Sequence, residues 1–135
     1  MASESRHIAV HIDRSPDEVY TRTPPKPSKL PEWAPGLCTA ITPVDDHWVA
    51  ESGMGHIVVR YAPPNPYGVM DHDVILESGD TLHNPVRVLP HDHGAEVVFT
   101  LRRQDGMSDA DFDRDSQAVL ADLMALRDRV EASAT

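Results

Sequence analysis

From His7 to Asp13 the chain alternates: Ile8, Val10 and Ile12 fall two apart among polar or small neighbours, the period of a half-buried strand. Ser15 follows, with Pro16 next and Glu18 three residues on, which joins a capping box to a helix-starting proline. The helix that starts there is short, because Thr23-Pro24-Pro25-Lys26-Pro27 removes amide donors and forces extended backbone. Ser28 predicts a second short helix over Lys29 to Ala34, with Leu30 and Trp33 on one face. Pro35-Gly36 stops it.

Between Leu37 and Arg103 the pattern changes to short β-branched and apolar runs separated by turn dipeptides. Strands are predicted over Cys38 to Val44, Trp48 to Glu51, His56 to Ala62, Val69 to Glu77, Thr81 to Leu89 and Ala95 to Arg103. The breaks between them are short, so neighbours in sequence are expected to be neighbours in the sheet. The last segment reads as one long helix. Ser108 caps it, Asp109 and Asp111 sit in its first turn, and Phe112, Val119, Leu120, Leu123, Leu126 and Val130 form an apolar stripe. About 22 residues at 1.5 Å each span roughly 33 Å, enough to cross a sheet. Arg127 and Arg129 occupy the end that favours cations.

The order β-α-α-β6-α places this chain in the α+β class, with a curled antiparallel sheet of about seven strands wrapped around the long helix. Strand parity then selects an inner face. Its rows are Met70, His72, Val74 and Leu76; Leu82, Asn84, Val86 and Val88; Ile57, Val59 and Tyr61; and Val97, Phe99 and Leu101. Tyr61, His72 and Asn84 are the polar exceptions on that face, with Trp33 and Trp48 as aromatic walls. Each needs a partner, because a bare buried polar group costs about 1 to 3 kcal/mol. The three can satisfy one another, as members of a packed core or as groups that orient a ligand. His72 is the candidate acid or base.

Composition narrows the function. The 135 residues suit a single domain, 1–135, with an ordered core over about 6–131. Twelve basic against 22 acidic side chains give a formal charge of −10, and no basic stripe interrupts the excess, so nucleic-acid binding lacks its main driving force. No apolar run approaches the roughly 18 residues of a membrane span, and no signal-peptide pattern opens the chain, so a cytoplasmic location is expected. Cys38 is the single cysteine and excludes an internal disulfide or a cysteine-built zinc site. In Asp71-His72-Asp73, alternation separates the imidazole from both carboxylates. His91-Asp92-His93 precedes Gly94 at a hairpin tip, where two imidazoles chelate Zn or Ni only weakly, so no metal is expected. No nucleophile-elbow, zincin, phosphate-loop or dinucleotide fingerprint occurs, and no cofactor is implied.

Three stretches carry a resemblance: RHIAVHIDRSPDEVY, a first strand with its capped helix; SKLPEWAPGL, a second helix with a tryptophan; and FTLRRQDGMSDADFDRD, a last strand entering the long helix. Through them the chain resembles the START-like superfamily labelled SRPBCC, in its polyketide cyclase-like branch. It departs from that pattern at the proline-rich Thr21 to Pro27. The resemblance implies the helix-grip fold and a cavity between the sheet and the long helix. It makes the first expected function the binding of a small hydrophobic or polyketide-like molecule by Trp33, Tyr61, His72, Asn84 and Phe99, in a monomer or homodimer. Two alternatives stand beside it. One is a cyclase or dehydratase in which His72 moves protons and Asn84 or Tyr61 holds an enolate-like oxygen. The other is a protein-interaction module resembling the co-chaperone branch, using the acidic surface or the Pro63 to Tyr67 loop.

Overall fold

The structure, a computed structural model, describes residues 4–23, 40–44, 47–52 and 55–132. The predicted second helix over Lys29 to Ala34, with Trp33, lies outside the described residues, as does Cys38. The alternating first segment forms β1 (Ser5–Ile12), and the capped one forms α1 (Pro16–Arg22). Then come β2 (Ala40–Val44), β3 (His47–Ser52), β4 (Gly55–Tyr61), β5 (His72–Ile75), β6 (Thr81–Asn84), β7 (Val86–His91), β8 (Gly94–Arg102) and α2 (Asp109–Ala132). All neighbouring strands are antiparallel, in the orders β2-β3-β4-β5-β6 and β1-β8-β7.

Among the described residues there are eight strands where the sequence pattern suggests about seven, because the run from Thr81 to Leu89 divides at Pro85. Proline has no N–H to give a ladder. β6 pairs with β5 before it, and β7 pairs with β8 after it. The Pro85 carbonyl still accepts from the Thr100 amide at 2.9 Å. Across the break, Asp71 takes over the role of backbone: its Oδ1 accepts from the Val86 amide at 2.9 Å. The same carboxylate grips Arg87 through Nε and Nη2 at 2.8 and 2.7 Å, and this guanidinium holds its pKa below the ordinary aspartate value. The predicted strand over Val69 to Glu77 accordingly shortens to β5, and Val69 makes an isolated bridge to Arg87.

Both predicted caps form. The Glu18 amide donates to Ser15 Oγ at 3.2 Å and the Asp111 amide to Ser108 Oγ at 3.1 Å, each contributing about 1 kcal/mol. In α2 the buried seam is Phe112, Leu123, Leu126 and Val130, with Val119 partly buried. Leu120 was expected in the stripe, yet it is 40% exposed. The seam steps by four and three residues, 112-116-119-123-126-130, and position 120 falls outside it. Ser116 fills the vacant step by donating to the Phe112 carbonyl at 2.9 Å.

Among the described residues, apolar side chains gather in two clusters. Val10, Ile12, Val19, Val86, Val88, Ala95 and Val97 pack with α2. Ala50, Ile57, Val59 and Val74 form the second, on β3, β4 and β5. Arginines fix α2 at both ends. Arg6 and Arg103 pair with Asp113 and Asp109 at its start, each at 2.7 Å. Arg14 and Arg22 donate to the carbonyls of Glu131 and Val130 at its end, at 2.5 and 3.4 Å, where helix carbonyls lack partners and the dipole favours cations.

Candidate functional site

Strand register brings three of the sequence-selected residues into one row. Tyr61 stands opposite His72, and His72 opposite Asn84. All three lie on the apolar side of their strands, since Tyr61 shares parity with Ile57 and Val59, His72 with Val74, and Asn84 with Leu82, which pack together. Phe99 reaches the row from β8: its ring centroid is 6.1 Å from that of His72, edge on, while the Tyr61 ring lies 5.2 Å from the imidazole, tilted. Tyr61 packs on the β3-β4-β5 cluster and Phe99 on the α2 cluster. His72 therefore sits at the seam between them.

The hydrogen bonds define the state of the imidazole. Its Nδ1 lies 3.3 Å from the Met70 carbonyl, which can only accept, so Nδ1 carries the proton. Nε2 is then an acceptor, and the Asn84 amide donates to it over 3.5 Å. Burial pushes the pKa of His72 below its ordinary value, against the pull of the Met70 carbonyl, Asp71 and Asp73. The ring is neutral at pH 7, with one lone pair loosely engaged.

That neutrality makes stability depend on pH. Unfolded, His72 takes up a proton near pH 6.5; folded, it does so only at a lower pH. Above about 6.5 neither state is protonated and the residue contributes no slope. As pH falls between the unfolded and folded values, only the unfolded state gains a proton, and stability drops by up to about 1.4 kcal/mol per pH unit. Urea denaturation between pH 7.5 and 5 checks this: His72→Gln should lose less stability over that interval than the parent. Parallel curves would show that His72 is protonated alike in both states.

Trp48 stands opposite Val59 and so shares the inner face, half-buried; Trp33 lies outside the described residues. Asp71 and Asp73 point away from His72: the first holds Arg87, and the second accepts from His83 Nδ1 at 2.5 Å. The Met70 carbonyl, which sets the tautomer of His72, is a backbone group and left no signal in the sequence. An open groove of about 350 Å³ lies elsewhere, among the start of α1, Pro66 to Gly68, Val88 and Pro90. Tyr61, His72, Asn84 and Phe99 do not line it. Among the described residues no three His, Cys, Asp or Glu side chains converge as a metal site, and no helix is long and apolar enough to cross a membrane.

No family model matches the chain, and no curated protein matches it by sequence. Solved structures do match in shape. Ara h 8.0201 superposes with a TM-score of 0.70 at 12% identity, over 96% of this chain and 99% of that one. The Aha1 dimer from Colwellia psychrerythraea gives 0.71 at 15%, over 96% and 97%. The chain has the helix-grip fold that these structures share. DynU16, a protein of the dynemicin biosynthetic locus, gives 0.67 at 13% over 95% of this chain and 47% of its own. At these identities the likeness concerns the fold alone, and a shared fold does not carry a shared chemistry.

Proposed function

We propose that this helix-grip chain binds a small, largely apolar molecule between its sheet and α2, with Tyr61, His72, Asn84 and Phe99 at the polar end of the ligand and Trp33 as a further wall. One observation carries the reading: three polar side chains share one cross-strand row on the apolar face, at the seam where two apolar clusters meet. Small-molecule sites are built this way, from apolar walls with a few placed hydrogen-bonding groups. Neither Lys nor Arg belongs to the row, so the fitting ligand is neutral and offers a hydroxyl to Nε2 of His72.

Native mass spectrometry of freshly purified protein, followed by titration with the neutral apolar probe N-phenyl-1-naphthylamine, tests the proposal. A co-purifying small molecule, or saturable one-to-one probe binding weakened at least tenfold by Asn84→Trp, is the expected result. An empty native spectrum together with no probe binding would overturn it.

A catalytic role has one observation in its favour, the neutral His72 with an acceptor nitrogen directed at Asn84. In a polyketide cyclase-like reaction that nitrogen would remove a proton, while Asn84 or Tyr61 held the developing oxyanion. If His72→Ala turned over every accepted substrate at the parent rate, that mechanism would be wrong.

A further inference from the structure

On the face turned away from α2, two histidines meet that lie far apart in sequence. His11 of β1 and His91 of β7 flank β8, whose first residue, Gly94, has no side chain to separate them. Their ring centroids are 5.4 Å apart, with planes at 67°. A Cβ at Gly94 would come within 3.0 Å of His11 Nε2, so the glycine is the floor on which this ring rests. Both imidazoles are exposed. His91 Nδ1 is 3.8 Å from Asp92 Oδ2, and Asp92 holds the turn with a φ of 51°. Glu96 stands opposite His11 in register, on the same face of the sheet.

We propose that His11 and His91 form a two-imidazole site for a divalent transition-metal ion that prefers imidazole, Cu²⁺, Ni²⁺ or Zn²⁺, with water completing its coordination. Imidazole nitrogens are the donors such ions select, whereas Mg²⁺ and Ca²⁺ prefer oxygen. The His91-Asp92-His93 motif provides only one of the two nitrogens. The other comes from β1, 80 residues earlier, and becomes a neighbour only because β8 begins with glycine. Three other histidines meet oxygen across their strand pairs instead: His83 faces Asp73, His56 faces Glu51 and His7 faces Thr100. A bound ion would tie β1 to the β7-β8 hairpin and stabilise the folded chain by mass action.

Titration of tag-free protein with CuCl₂, followed by calorimetry and electron paramagnetic resonance, tests the site. One equivalent should bind most tightly, with two imidazole nitrogens in its hyperfine pattern. His11→Gln and His91→Gln should each weaken that step at least tenfold, while His93→Gln stays within twofold of the parent. Because either substitution can disturb the strand end, a second measurement uses the unaltered chain: one equivalent of Zn²⁺ should protect His11 and His91, and not His93, from diethyl pyrocarbonate. Unchanged affinity in both variants, loss of affinity on His93→Gln, or protection of His91 together with His93 would each overturn the assignment.

Discussion

Phe112→Ala should lower the unfolding free energy by about 3 to 5 kcal/mol, the range for a large side chain removed from a closed core. Phe112 is completely buried in the first turns of α2. Arg6 and Arg103 lie against its ring, their guanidinium carbons 4.2 and 5.6 Å from the centroid. Neither arginine is free to swing into a cavity left by the ring. Arg6 also donates to Ser116 at 3.0 Å, and Arg103 reaches both Asp109 and Glu4. These ion pairs are partly exposed and contribute little alone; their effect is to keep two cations where the π face attracts them. Phe112→Leu separates the contributions. It restores most of the apolar volume and should recover all but about 1 to 2 kcal/mol, part of that residue being the lost cation–π attraction. Equilibrium urea denaturation of both variants measures the two losses. A loss under about 1 kcal/mol for Phe112→Ala would mean that the start of α2 is held from elsewhere.

Phe112 itself was readable as the first residue of an apolar helical stripe, and so were the caps, the strand parities and the Tyr61, His72, Asn84 row. Those features depend on periods of two or three to four residues, which a local pattern records. What joins distant segments was hidden. Pro85 leaves the alternation of Leu82, Asn84, Val86 and Val88 intact, so the run reads as one strand, and only the missing amide shows that pairing changes there. Arg14 holds a carbonyl 117 residues away, and no local spacing announces it, whereas Arg127 and Arg129 merely occupy the right end of the helix. Leu120 reads as part of the buried stripe because a stripe drawn from apolar spacing is broader than the seam that packing uses. The tautomer of His72 rests on a main-chain oxygen, which sequence does not encode position by position. The eventual partner of His11 is set by the register of β1 on β8 and by an absent side chain at Gly94.

That absence leads to the second large effect. Gly94→Ala should cost about 2 to 3 kcal/mol, as overpacking in a closed site does, although its backbone angle suits alanine: among the described residues the glycines at positive φ are Gly55, Gly68, Gly79 and Gly106. The penalty is therefore steric. The new methyl would press on the carbonyl oxygen of Ile12 and on the His11 ring. The imidazole can rotate away, but the carbonyl cannot, because it belongs to β1 and already accepts from the Arg14 amide at 2.9 Å. Relief would come by parting β1 from β8 at the Ile12 to Ala95 pair. Asp13 and Arg14, both bonded to Glu131, would move with it and loosen the end of α2. Two comparisons fix the cause. Adding His11→Ala to Gly94→Ala should restore less than half of the loss, since the carbonyl contact remains. Gly79→Ala, at a φ of 93° with nothing within 4 Å, should cost only the backbone strain of about 1 to 2 kcal/mol. Hydrogen exchange should show faster exchange at Asp13, Arg14 and the last turn of α2 in Gly94→Ala, with β4 and β5 unchanged. Full rescue by His11→Ala would shift the constraint from the β1 backbone to the imidazole, and the close approach of the two strands would no longer explain why this position is glycine.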